Sequence, residues 1–202
     1  MPALGITGGV ATGKSSFSLA LRRHLLAGFF DADRSVHELL SGDVAVQKAV
    51  VDAFGPDIIG ADGNPDRLRL REIVFANPTK RRQLEGILHP IIRDRWMEQA
   101  GNAARSDRWF CADIPLLYET NAQSHFAAVV VVACSPATQR TRLREQRQLS
   151  NEIAENIIAS QFDLTTKVAQ ADYLIWNDSS ESCLDRQARS LAGALQRRFV
   201  RG

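Results

Sequence analysis

The chain has 202 residues, 45% of them hydrophobic and 24% charged, with a formal net charge of +2. That length suits one domain with room for insertions, and so small a charge gives no electrostatic case for nucleic acid. No apolar run nears the ~20 residues of a membrane span, and Cys111, Cys134 and Cys183 lie far apart without C-x-x-C spacing, which argues against structural zinc and for a reducing compartment.

Ala3 to Ile6 is a short apolar run that reads as a buried strand. Gly8 to Ser15 then spells G-x-x-x-x-G-K-S, and Phe17, Leu19, Leu21, Leu25 and Leu26 follow in a pattern that suits a helix. Strand, glycine-rich loop and helix in that order are the setting a phosphate-binding loop requires. Glycines let successive backbone N–H groups turn toward one anion, and the helix start adds its positive dipole end. Lys14 can reach the β- and γ-phosphates of a nucleotide, and the Ser15 hydroxyl can ligate Mg²⁺. The candidate nucleotide set is therefore Gly9, Ala11, Thr12, Gly13, Lys14, Ser15 and Ser16. A chance match to the motif alone is expected in roughly one chain in a hundred of this size. Because the chain enters a core strand at once, no signal peptide is expected ahead of it.

Phe29 and Phe30 form the next short strand, with Asp31 and Asp33 at its carboxyl end, where open α/β sheets bind ligands. An acid here can take a proton from a hydroxyl or orient Mg²⁺. Equally, Asp33 can cap a helix over Arg34 to Leu40. Residues 34 to 108 contain no long strand. Val44, Val46, Val50 and Phe54 allow a helix ending at Gly55-Pro56, Gly60 to Pro65 is a turn cluster, and Asp66 can cap a helix carrying Leu70, Ile73 and Val74. A longer helical pattern runs from Leu84 to Trp96, with a kink expected at Pro90. Together these make a helical insertion between two strands of the sheet. Its basic residues, Arg67 to Arg95, read mostly as solvated faces. His89 is either a ligand contact or a hydrogen-bonded structural histidine. Asp52 to Gly55 matches D-x-x-G but lies inside a helical pattern, and no N-K-x-D exists, so a GTPase is not indicated.

Trp109 to Ile114 reads as a strand, followed by Pro115 to Glu119; Asp113 or Glu119 can serve a metal's outer shell or act as a cap. Ala127 to Cys134 is the most apolar strand and suits the middle of a parallel sheet. Ser135-Pro136 starts a helix that carries Arg140, Arg142, Arg144 and Arg147, and Ser150 or Asn151 starts a second. This arginine-rich hairpin reads either as a closing lid that neutralises a moving phosphoryl group or as a solvated helix. Tyr173 to Trp176 is a fifth strand, and a last helix runs from Glu181 to Phe199.

Taken in order, these segments resemble the dephospho-CoA kinase family over nearly the whole chain. The family's T-G-G-x-x-x-G-K-S stands at Thr7 to Ser15 and its D-A-D at Asp31 to Asp33. F-x-N-P stands at Phe75 to Pro78, L-H-P at Leu88 to Pro90, P-L-L-x-E at Pro115 to Glu119, and S-P-x-x-Q at Ser135 to Gln139. The late pattern stands at Ala171-Asp172, Ile175 and Asn177. The resemblance implies a three-layer α/β/α phosphate-loop kinase fold with a five-stranded parallel sheet, its first strand central. Residues 1–33, 109–137 and 164–202 would form the nucleotide-binding core, 34–108 a helical CoA-binding insertion and 138–163 a lid.

The implied activity is transfer of phosphate from ATP, with Mg²⁺, to the ribose 3′-hydroxyl of dephospho-CoA in the cytoplasm. Nucleic acid and membrane are not expected partners, and oligomeric state is left open. By the family pattern Asp33 is the general base, Lys14 and Arg142 hold phosphates, and Asn177 lies near the adenine. Thr7, Asp33, His89 and Leu116 would contact the acceptor, and Ser15 the metal. Two positions depart from the pattern. Ala11 stands where the loop usually has glycine, so its backbone must be one an L-residue tolerates. Gln146 stands where a second lid arginine is frequent. The rival readings are another small-molecule kinase, such as a nucleoside monophosphate kinase, a nucleotide-binding regulator without turnover, and an arginine-based RNA or DNA module.

Overall fold

The structure, a computed structural model, describes residues 2–106, 108–145, 148 and 150–199. The chain divides into two compact units, Met1–Phe30 with Gln99–Gly202, and Asp31–Glu98.

The first unit is built on β1 (Ala3–Gly8), β2 (Ala27–Asp31), β3 (Trp109–Asp113), β4 (Ala128–Ala133) and β5 (Tyr173–Trp176). The strand order is β2-β3-β1-β4-β5, so the first strand is central, as expected. The sheet is parallel, with helices on both faces. Registers such as Ile6 opposite Asp113 and Val130, and Val132 opposite Ile175, bring the carboxyl ends of β1, β3, β4 and β5 to one edge. Every residue of β3 and β4 is buried, which explains their unbroken apolar spelling.

On one face, alternate residues Leu4, Ile6, Val130 and Val132 meet α1 (Lys14–Arg22) and α9 (Glu181–Phe199) through Phe17, Leu21, Ala188, Leu191 and Leu195. The period-2 pattern of the strands thus packs on helical stripes. The short helix α8 (Leu164–Ala169) packs against β4. Helices α6 (Pro136–Glu145) and α7 (Asn151–Ala159) form the predicted hairpin, capped by Ser135 and Ser150, whose hydroxyls accept from Thr138 and Ile153 N–H. Gln146 and Arg147 lie outside the described residues. Cys111 and Cys134 are buried as small apolar groups; burial pushes the Cys111 thiol up to about 12, so it is inert at neutral pH.

The second unit is helical: α2 (Ala32–Gly42), α3 (Val44–Phe54), α4 (Arg67–Ala76) and most of α5 (Pro78–Arg105). Its only strand-like feature among the described residues is a bridge between Ile59 and Pro65. Asp43 and Asp66 cap α3 and α4 through backbone N–H groups. The cap of α2 corrects the expectation: Asp31, not Asp33, accepts from the Arg34 N–H at 3.0 Å. The helix starts one residue before Asp33, which leaves that acid in the first turn. α5 runs on helically through Pro90. Many of the unit's cations find partners within it: Arg67 with His37, Lys80 with the Ala53 carbonyl, and Arg81 with Glu85.

Candidate active site

The phosphate loop connects β1 to α1, and its shape follows from a steric and a polar constraint. Gly13, the residue before α1, has φ 90, a left-handed conformation that glycine alone adopts cheaply. A Cβ on Gly13 would also collide with the Asn177 amide. Ala11 has φ 57, inside the small left-handed region open to L-residues, so the departure at this position is tolerated as the sequence required.

The polar constraint is the larger one. A loop whose N–H groups turn inward to an anion turns its carbonyls outward, and each needs a donor if buried. Here five consecutive carbonyls each accept from a side chain. Lys167 Nζ donates to Gly8 (3.4 Å), Thr12 Oγ1 to Gly9 (2.9 Å) and Gln139 Nε2 to Val10 (2.8 Å). Arg142 donates to Ala11 and Thr12 (3.3 Å each), and Asn177 Nδ2 to Thr12 (2.9 Å). The donors come from the loop itself, α6, α8 and the residue after β5. The loop is therefore preorganised by side chains from across the first unit.

Within this frame the expected nucleotide residues fall together. Lys14, Ser15 and Ser16 form the first turn of α1, with Ser15 and Ser16 exposed and Lys14 half-buried. Asn177 is buried, and its own carbonyl accepts from Arg142 at 2.8 Å. Arg142 is thus spent on backbone carbonyls of the loop and of Asn177. Arg140 pairs with Glu155 at 2.6 Å and joins α6 to α7, while Arg144 is exposed. Val10 and Ala11 also make apolar contact with Leu143, Ala154 and Ile157, which couples the loop tip to the hairpin.

Of the expected acceptor contacts, Thr7 is buried and donates its hydroxyl to the Pro115 carbonyl at 3.1 Å, and Leu116 follows half-buried. Asp33 and His89 belong to the second unit. Asp33 is exposed near the start of α2. His89 is half-buried on α5, and burial lowers its pKa below the usual histidine value, against the opposing pull of Glu85. That unit has a cleft of about 380 Å³ lined by residues including His37, Leu40, Asn64 and Arg67; neither Asp33 nor His89 lines it.

Sequence reasoning missed Gln139 as an anchor and Lys167 altogether. Gln139 was visible only as a motif letter. Lys167 sits on a six-residue helix too short to show periodicity, where a lysine reads as solvated; its side chain is in fact fully buried. Glu119, expected as a cap, a surface acid or a metal's outer-shell ligand, pairs with Lys167 at 2.8 Å.

Comparison with known proteins agrees with this geometry. The sequence profile described as Dephospho-CoA kinase matches residues 3–182. A dephospho-CoA kinase of Bdellovibrio bacteriovorus is 40% identical over 190 residues, 91% of each chain. The solved dephospho-CoA kinase from Campylobacter jejuni superposes with a TM-score of 0.68 at 26% identity, covering 96% of this chain and 97% of that one. A shikimate kinase from Bacteroides thetaiotaomicron, at 15% identity and TM-score 0.57 over 96% and 98%, shares the fold. With its phosphate loop anchored in a five-stranded parallel sheet and its family pattern spanning residues 3–182, the chain belongs to the dephospho-CoA kinase family.

Proposed function

We propose that the protein transfers the γ-phosphoryl group of ATP to the ribose 3′-hydroxyl of dephospho-CoA, giving CoA and ADP, in a reducing cytoplasmic setting. The observation that carries the nucleotide half is the run of five side-chain-anchored carbonyls, Gly8 to Thr12, which leaves the loop N–H groups for phosphate. The acceptor half rests on family membership and on the ordered motifs outside the loop.

In the proposed reaction the loop N–H groups and Lys14 hold the β- and γ-phosphates. Arg142 and Asn177 keep the loop in shape through its carbonyls, with Arg142 beside the phosphates and Asn177 bordering the adenine end. The acceptor hydroxyl oxygen forms the new bond to the γ-phosphorus as the bond to ADP breaks, and Asp33 takes the hydroxyl proton. Thr7, His89 and Leu116 would contact the acceptor. The residues fit Mg²⁺: the Ser15 hydroxyl would hold it, with phosphate oxygens and waters completing the shell, the usual pattern for this cation. No all-protein cluster of acids, histidines or cysteines is present among the described residues. When bound, the ion neutralises charge on the phosphates. Residues 138–163 are proposed as a lid and residues 34–108 as the acceptor-binding insertion.

The test is incubation with Mg-ATP and, separately, dephospho-CoA, AMP, CMP or pantothenate, with mass detection of product. Phosphorylated dephospho-CoA as the sole strong product is expected. A nucleoside diphosphate product instead would replace the acceptor.

A further inference from the structure

Among the described residues, Lys167 is the one anchor of the phosphate loop that is also ion-paired in the interior. Its side chain is fully buried on α8, and its ammonium meets three acceptors: Glu119 Oε1 at 2.8 Å, the Pro115 carbonyl at 2.9 Å and the Gly8 carbonyl at 3.4 Å. A protonated lysine has three N–H donors, so this set uses all of them; a neutral amine has two and would leave an acceptor short. Burial pulls the Lys167 pKa down, and Glu119 pushes it back up.

The partners of Lys167 are not arbitrary. Gly8 ends β1 and opens the phosphate loop. Pro115 follows β3, the neighbour of β1 in the sheet, and its carbonyl also takes the Thr7 hydroxyl. Glu119 ends the same segment and accepts from the Phe162 N–H at 2.9 Å, in the turn between α7 and α8. One ammonium and one carboxylate thus join the base of the loop, the segment after β3 and the root of the α6–α7 hairpin.

We propose that Lys167, held by Glu119, is a positioning residue for phosphoryl transfer, setting the phosphate loop against the segment after β3 so that bound ATP is aligned with the acceptor. This rests on the kinase reading above. The pair acts through the groups it holds, so its loss should fall on turnover more than on nucleotide binding. A misplacement of about 1 Å can cost on the order of 10² in rate.

The experiment compares wild type with Lys167→Arg, Lys167→Met, Glu119→Gln and the double variant Lys167→Met/Glu119→Leu. Steady-state kinetics with dephospho-CoA, thermal melts, and hydrogen exchange of residues 8–15 and 114–120 with a non-hydrolysable ATP analogue are measured. Lys167→Met should lose about 10² in kcat, with KM for ATP changed by less than about threefold, because the interaction lost is not one made directly to bound nucleotide. Lys167→Arg should recover part of kcat.

The double variant removes the buried ammonium and its half-buried carboxylate together, so its melting temperature should return toward wild type, while kcat stays low and exchange in both segments stays fast. A double variant with near-normal kcat would overturn the proposal and leave an ion pair that only stabilises the fold. It also decides the matter should Lys167→Met fail to fold. If wild type itself does not phosphorylate dephospho-CoA, the acceptor reading fails, and the exchange data alone decide: linked loosening of both segments supports the positioning role, and unchanged exchange refutes it.

Discussion

Around the phosphate loop, Lys167, Gln139, Arg142 and Asn177 aim their donors at backbone carbonyls. In the helical unit 31–98, charges at or near the surface mostly pair with other side chains one turn away: the exposed Arg34 with Glu38 and Lys48 with Asp52, and the half-buried Arg81 with Glu85. Two insertion cations do reach carbonyls, Arg69 to Asp57 and Lys80 to Ala53, but these tie the unit's own segments together. A backbone carbonyl has no rotamer to adjust, so donors fixed on it hold the chain in one shape. Exposed side-chain pairs are screened and replaceable. The loop is therefore built to be rigid before nucleotide arrives, and the insertion is built to tolerate change.

The largest effect should come from an acid of the helical unit that this contrast does not explain. Asp33 is exposed and does not cap α2, because Asp31 does. Asp33→Asn is expected to lower dephospho-CoA turnover by about 10² to 10⁴, as loss of a general base does, with ATP affinity near wild type. Asp31→Ala should instead cost roughly 1 kcal/mol of stability and leave turnover nearly normal. Kinetics and urea melts of both variants check the assignment. The reverse pattern would mean the acids have been given each other's roles.

Lys14→Ala comes next. The side chain is half-buried at the first turn of α1 and lies outside the apolar core cluster, so circular dichroism should match wild type. Turnover should fall about 10² to 10³, the usual cost of removing a group aimed at developing charge. Wild-type turnover in this variant would remove the loop from the mechanism.

Rigid and tolerant regions can be compared directly by breaking one contact in each. Gln139→Leu leaves the buried Val10 carbonyl without its donor, at a cost of about 1 to 3 kcal/mol, and should raise KM for ATP. Lys48→Ala breaks an exposed pair in α3; the expected cost is below about 1 kcal/mol, with KM for ATP unchanged. Equal destabilisation by the two would erase the distinction between the regions.

The same contrast explains what could be read from the sequence. The five strands and the terminal helix were legible because apolar runs, even one as short as Phe29-Phe30, and helical periodicity leave few alternatives. The loop was legible because its glycines and Lys14-Ser15 stand together in the chain. The carbonyl donors were not, since Gln139, Lys167 and Asn177 come from far along the chain and converge only in the fold. Local capping was half legible: Asp66 and Ser135 sit just before their helices and read as caps, whereas the Asp43 cap went unread, and Asp31 and Asp33 are two acids beside one helix start, between which only the backbone decides.

The smallest expected effect lies inside the rigid region, at Ala11. Its φ of 57 costs an L-residue about 1 to 2 kcal/mol relative to glycine. Ala11→Gly relieves this, but it removes a methyl that packs with Val10 against Leu143, Ala154 and Ile157, about 0.8 kcal/mol if fully buried. It also frees the unfolded chain by roughly 0.4 to 1 kcal/mol. These contributions oppose one another, so the net change should be under about 1 kcal/mol in either direction. ATP affinity should hold because the position-11 N–H is kept. Ala11→Val is the sharpening control, since a β-branched residue at positive φ is strained whatever its packing. Urea denaturation should rank Ala and Gly together and Val well below them. If the valine variant matches wild type, backbone shape at position 11 is not what restricts this residue, and the loop is less rigid than its anchored carbonyls imply.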